Sequence, residues 1–184
     1  MKHETTAEAV GRADKKLRQA AFFLGHLHEV SRRPGQRAVE TIEFFLSACL
    51  TAAQSAFYVL RDHTGDSFNR EHRRWRMSRS QDDRAFLNRM ISLRDDDVHS
   101  GVVDATSYHS YIDAETVPGV QVFGPGVVEL ENPDGTRVRG RVLMGVELLY
   151  IEHAGQRIEA GRACQQFIAL LGHLVDHFRQ LGQE

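Results

Sequence analysis

Three residues near the middle of the chain have the types and spacing of a site that works on phosphodiesters. They are Arg94, Asp95 and His99, in the run Ile91-Ser92-Leu93-Arg94-Asp95-Asp96-Asp97-Val98-His99-Ser100-Gly101. A guanidinium stabilises charge on phosphate oxygens, and an imidazole moves a proton near neutral pH. The run reads as the end of an amphipathic helix, so His99 would feel the negative end of the helix dipole and favour its protonated form. Asp95, four residues earlier on the same face, would act in the same direction and hold the ring. Such a histidine can take the proton of a ribose 2′-hydroxyl or give one to a leaving 5′-oxygen. Arg94 would stabilise the charge building on the phosphorus oxygens. That chemistry is metal-independent RNA cleavage to a 2′,3′-cyclic phosphate. DNA, lacking the 2′-hydroxyl, would resist.

The geometry sets conditions. Arg94 and His99 lie roughly 140° apart on an ideal helix. They converge only if the helix frays toward Gly101, or if two copies of the chain face each other across a symmetric interface. A plainer reading stands beside this one. With 10 His and 23 Lys plus Arg in the chain, an Arg and a His at this spacing recur by chance about once. Asp95, Asp96 and Asp97 also repel phosphate and oppose the dipole at a helix C-terminus. An ordinary solvated helix end fits the same residues.

The elements that must position these groups read as mainly helical. Helical periodicity runs from about Thr6 to His28, from about Gln36 to Asp62, from about Asp82 to Val98 and from about Ile158 to Leu181. The second helix carries a wide apolar stripe, and Ser47, Ala48, Ala52 and Ser55 leave room for close packing. Pro34-Gly35, Gly65 and Gly101 supply breaks. Ser80 is placed to cap the third helix, with Asp82 and Asp83 in its first turn. From about Val117 to Ile158 the period changes to that of short strands: Val120–Phe123, Val127–Glu131, Arg137–Leu143 and Leu148–Glu152. Asn132-Pro133-Asp134-Gly135 and Ala154-Gly155 read as turns. The expectation is a single domain, 1–184, built as a four-helix up-and-down bundle with a small antiparallel β meander (117–158) inserted before the last helix.

The pattern Leu93-Arg94-Asp95-Asp96-Asp97-Val98-His99-Ser100-Gly101 resembles the arginine–histidine motif of the HEPN domain family. The stretch from Phe45 to Leu60 is similar to the long second helix of bacterial members, and Trp75 falls where such proteins often carry an aromatic. The resemblance covers about Gln36 to Gly101, and the final helix fits it too. It implies a four-helix bundle, a homodimer, and Arg94 and His99 as catalytic residues with Asp95 as the polar neighbour. Asn is more usual at the Asp95 position. Many members are RNA-cutting toxins, some paired with an antitoxin. Others are inactive binding modules.

Other candidates compete. Between Arg61 and Arg94 nine Arg face five acids. Arg73, Arg74, Trp75 and Arg76 read either as a nucleic-acid grip, with Trp75 stacking a base, or as a solvated connector whose Trp packs on the bundle. His173 and His177 share a helix face and would need a third ligand from elsewhere to hold a metal, while His26 and His28 point apart. No metal centre or cofactor is expected. No phosphate loop, dinucleotide fingerprint, nucleophile elbow or C-x-x-C pair is present.

Composition bounds the rest. The chain is 41% hydrophobic and 26% charged, and its net charge of −2 gives no global positive field. Cys49 and Cys164 read as buried free thiols, as in a reducing compartment. The first 18 residues lack the apolar core of a signal peptide, and the longest apolar run reads as too short for a bilayer. The expectation is a cytoplasmic protein with no membrane role. Three readings remain: an RNA-binding endoribonuclease first, then a non-catalytic dimeric interaction module whose β meander meets an antitoxin-type partner, and last a metal-dependent helical-bundle enzyme.

Overall fold

A computed structural model describes residues 5–32, 38–64, 66–100, 104–114, 127–140 and 143–182. The protein is mainly helical, with a small antiparallel sheet before its last helix. In chain order the described elements are α1 (Thr6–Ser31), α2 (Ala38–Thr64), α3 (Asp66–Met77), α4 (Gln81–Ser100), β1 (Thr106–Asp113), β2 (Val128–Glu131), β3 (Arg137–Gly140), β4 (Leu143–His153), β5 (Gln156–Glu159) and α5 (Ala160–Leu181).

The helices begin where side chains can take up orphan amides. Thr5 and Glu8 form a capping box on α1, with the Thr5 amide donating to Glu8 at 2.8 Å and the Glu8 amide to Thr5 at 3.3 Å. Ser80 caps α4 through a 3.0 Å bond from the Asp83 amide. Glu159 caps α5, accepting from the amides of Gly161 and Arg162 at 2.8 and 3.0 Å. The apolar stripe of α5, Ala163, Phe167, Leu170, Leu171, Leu174, Val175 and Phe178, is buried as its period requires. It meets Ile42, Leu46, Leu50, Ala53 and Leu60 of α2, Ala13, Leu17 and Leu27 of α1, and Phe86, Met90 and Leu93 of α4.

The basic stretch after α2 is itself a helix rather than a connector. In α3, Phe68, Glu71 and Trp75 turn inward at helical spacing. Phe68 stacks on Phe178 of α5 at 5.3 Å and on His72 at 5.2 Å, and His72 stacks on Trp75 at 5.9 Å. Burial of His72 against these rings pushes its pKa down, and the neighbouring Arg76 adds to the effect.

The β layer starts earlier than the expected boundary at 117, because β1 pairs with β4 along its whole length, from Thr106 opposite Tyr150 to Asp113 opposite Leu143. The three-stranded order is β1-β4-β5, and β2 pairs with β3 separately. Ala154 and Gly155 turn β4 into β5 with φ of 50° and 77°, the left-handed pair a two-residue hairpin needs. Gly135, with φ 77°, closes the β2–β3 turn, and its amide donates to the Asn132 carbonyl at 2.9 Å. Strand alternation splits β4 between two environments. Leu149 and Ile151 join the helical core, whereas Val146, Leu148 and Tyr150 form a second cluster with Tyr108 and Ile112. The expected strand Val120–Phe123 and the expected breaks at Pro34-Gly35, Gly65 and Gly101 lie outside the described residues.

The expectation about apolar length needs correction. By length and composition, Val39–Asp62 of α2 is enough to cross a membrane. In this fold α2 is the central helix, and its apolar stripe faces α1, α4 and α5. Cys49 and Cys164 are both free and buried, and the Cys49 thiol donates to the Ala20 carbonyl at 3.5 Å.

Candidate nucleic-acid interface

α4 buries Phe86, Leu87, Met90 and Leu93. Arg94 follows Leu93 by one residue, so its side chain leaves the core at the edge where α4 crosses α2. That side chain is 21% exposed, and Nη1 donates to Asp95 at 3.1 Å. The guanidinium carbon stands 5.9 Å from the centre of the Tyr58 ring on α2, and Arg61 covers the same ring at 4.7 Å. Gln54 donates to the Tyr58 hydroxyl at 3.0 Å. Among the described residues, the Arg94 Nε and the Gln54 Oε1 are buried without a hydrogen-bond partner. One is a donor and the other an acceptor, in a setting where most polar atoms are paired.

The acids behind Arg94 are distributed. Asp95 accepts from Arg94 through Oδ1, and its expected contact with His99 falls on a side chain outside the described residues. Asp96 accepts from Ser92 at 3.4 Å, and Asp97 accepts from the Ser47 hydroxyl of α2. His99 belongs to α4 by its backbone. Its side chain lies outside the described residues, and so does any meeting of Arg94 with His99.

A second arginine of α4 is the useful control. Arg89 is 23% exposed, close to the value for Arg94. Its Nε donates to the Glu152 carbonyl of β4 at 3.0 Å and its Nη2 to Asp104 at 2.8 Å. Arg89 therefore ties α4 to the sheet through its Nε and one Nη2 hydrogen.

The basic residues of α3 divide. Trp75 is 3% exposed, so its ring belongs to the core and is not offered to a base. This corrects its expected place in a nucleic-acid grip. Arg76 donates to Asn88 of α4 at 2.7 Å and acts as a strut. Arg73 and Arg74 are exposed, and Arg74 donates to Glu71 at 3.1 Å. Glu71 is buried, and the Arg70 hydrogen bond at 2.9 Å, helped by Arg74, holds its carboxyl below the usual range. His177 of α5 places Nε2 3.6 Å from the same carboxylate. His177, which shares a face of α5 with His173, thus has a buried carboxylate beside it. Among the described residues no group of three or more His, Cys, Asp or Glu side chains is arranged to hold a metal.

Sequence reasoning missed Gln54, Tyr58 and Arg61 as the surroundings of Arg94. Their i, i+4 and i, i+3 spacing on α2 shows only that they share a face. The crossing with α4 is a tertiary fact. No family model, curated protein or solved structure matches the chain.

Proposed function

We propose that this protein is a HEPN-like RNA-binding domain that cuts RNA without a metal, using Arg94 and His99. The observation that carries the reading is the contrast within α4. Arg89 spends its Nε and an Nη2 hydrogen on partners from other elements, whereas Arg94, equally sheltered, bonds among the described residues to the adjacent Asp95 and leaves Nε bare. A sheltered guanidinium with spare donors suits an incoming phosphate, because low local dielectric strengthens charge-assisted bonds. Asp95 occupies the site in the absence of RNA and would yield Arg94 to a phosphodiester. His99, about one turn beyond, would handle the proton. In this reading α1, α2, α4 and α5 form the four-helix up-and-down bundle and α3 is an added connecting helix. Exposed Arg73 and Arg74 supply long-range attraction for the RNA backbone.

The working unit is a homodimer. Phe22 and Phe44 are 61% and 65% exposed, and a groove between α1 and α2 is lined by Phe23, Phe44, Ala48, Thr51 and Ser55. The bond from Ser47 to Asp97 brings this face next to the end of α4 that carries the motif. A second copy seated there would set two motif ends beside one cleft.

Purified protein incubated with RNA in chelator, beside Arg94→Ala and His99→Ala variants, tests the assignment. Cleavage to 2′,3′-cyclic phosphate ends is expected from the parent, with each variant slower by about 10²-fold or more. Equal cleavage by all three would remove both residues from the mechanism.

The same exposed aromatic face favours a second reading, a non-catalytic interaction module that uses Phe22 and Phe44 against an antitoxin-type protein. A stoichiometric partner lost on Phe44→Ser, together with no cleavage of RNA, would select it.

A further inference from the structure

A cleft of about 530 Å³ opens on the far side of the sheet from the helical core. Ile112 and Leu148 floor it, beside Tyr150, whose hydroxyl is bonded to Ser110 at 2.8 Å. The last turn of α1 and the first turns of α5 form its walls, and the β2–β3 hairpin forms its rim. The hairpin is docked by Asn132, whose side chain accepts from the Tyr111 amide at 2.7 Å and donates to the Tyr111 carbonyl at 3.1 Å. None of the lining residues lies on α2, α3 or α4, so the cleft is separate from the surroundings of Arg94.

The polar groups of the cleft are unevenly committed. Asp134 accepts from the Thr136 amide and hydroxyl at 3.0 and 2.6 Å, and lies 3.4 Å from Arg162. Glu159 is consumed in capping α5. Asp113 is engaged too and packs against Gly140, where a Cβ would stand 2.6 Å from the carboxyl carbon. Arg137 turns to Glu129 and Glu131 at 3.7 and 3.5 Å. Two donors remain. Among the described residues, the side chains of His28 and Arg32 have no hydrogen-bond or ion-pair partner.

His28 is also held in place. Its ring lies against Gly161, where a Cβ would stand 2.6 Å from Nε2. Any other residue at 161 would push the imidazole out of this position. Gly161, in the first turn of α5, leaves that space open to the ring.

A cleft with spare donors, committed carboxylates and an apolar floor selects an acceptor with an organic body. We propose that it binds a small organic anion, a carboxylate or a phosphate monoester. The acid group lies between His28 and Arg32, and the body lies on Ile112 and Leu148. The volume is that of sites for metabolite-sized ligands. The negative end of the α1 dipole disfavours an anion, but its half charge is outweighed by the full charge of Arg32.

Titration calorimetry on the full chain tests this with adenosine 5′-monophosphate and benzoate as probes, and with inorganic phosphate and acetate as bodiless controls. Binding of at least one probe with Kd below about 1 mM is expected, and about tenfold weaker binding of its control. The better probe distinguishes phosphate from carboxylate recognition. Arg32→Gln should weaken binding about tenfold. Gly161→Ala should weaken it as well, by displacing the His28 ring, although it removes no ligand-contacting group. Arg94→Ala should leave it unchanged, so this result is independent of RNA cleavage. Circular dichroism would establish that each variant is folded. No heat from either probe at millimolar concentration, or Kd values indifferent to both Arg32→Gln and Gly161→Ala, would overturn the assignment.

Discussion

The two halves of α4 hold arginines of almost equal shelter and opposite employment. Arg89 reaches across to a backbone carbonyl of β4 and to Asp104. Arg94 bonds the residue beside it and leaves one buried nitrogen without a hydrogen-bond partner among the described residues. Burial alone therefore does not distinguish a structural cation from a functional one. The informative quantity is how many donors remain after the fold has used what it needs. α3 repeats the contrast at lower resolution of purpose: Trp75 and Arg76 are committed to packing and to Asn88, while Arg73 stands in solvent.

The largest effect should come from the committed side. Trp75→Ala removes a ring from the column that runs through His72 and Phe68 to Phe178. A loss of about 3–5 kcal/mol in denaturant unfolding is expected, as for large aromatic truncations in cores. A stability change within about 0.5 kcal/mol, the usual range for surface positions, would return Trp75 to the surface and to base stacking. Arg89→Met comes next. It removes the bond to the Glu152 carbonyl, which water can reach, and loosens the α4–β4 contact, at a cost of about 0.5–1.5 kcal/mol. The salt bridge to Asp104 adds little to this, because Asp104 is 70% exposed.

The periodic parts of this architecture were legible before any coordinates. The stripes of α2 and α5 follow the 3.6-residue period, Ser80 announces α4, and Asn132-Pro133-Asp134-Gly135 and Ala154-Gly155 announce two turns. α3 was legible in principle, since Phe68, Glu71, His72 and Trp75 recur at helical spacing, but its arginines drew attention to charge. β1 was harder. Thr106–Asp113 is mostly polar, and it becomes a strand because β4 offers it an edge. The setting of Arg94 was not legible at all, because Gln54 and Tyr58 come from a helix about forty residues earlier and only the crossing brings them near. The same holds for the cleft beside His28, whose lining is gathered from elements at both ends of the chain.

A pH series sharpens the role assigned to α3. His72 has its pKa lowered in the folded state by burial and then by Arg76. Above the unfolded value, about 6.5, the ring is neutral in both states and costs nothing. As pH falls through 6.5 the unfolded chain takes up the proton first, so stability declines, and the decline levels off only below the folded value. Unfolding midpoints should therefore drop between pH 7 and pH 5, and His72→Phe should flatten the slope. An unchanged slope in that variant would assign the decline to another histidine.

The smallest expected change in stability is the most informative. Arg94→Met replaces a sheltered guanidinium, whose Nε is unpartnered, with an apolar side chain of similar length. Removing a poorly satisfied charge in this way is often neutral or stabilising. The unfolding free energy should hold or rise by up to about 1 kcal/mol, as is common when a functional group is replaced by a better-fitting structural one. Cleavage of RNA should fall in the same variant. Stability and activity would then move in opposite directions at residue 94 and in the same direction at residue 89. A loss of stability at Arg94→Met as large as at Arg89→Met would make the two arginines alike. It would mean that Asp95 and Tyr58 give Arg94 full structural employment, and the case for a waiting phosphate ligand would lose its physical basis.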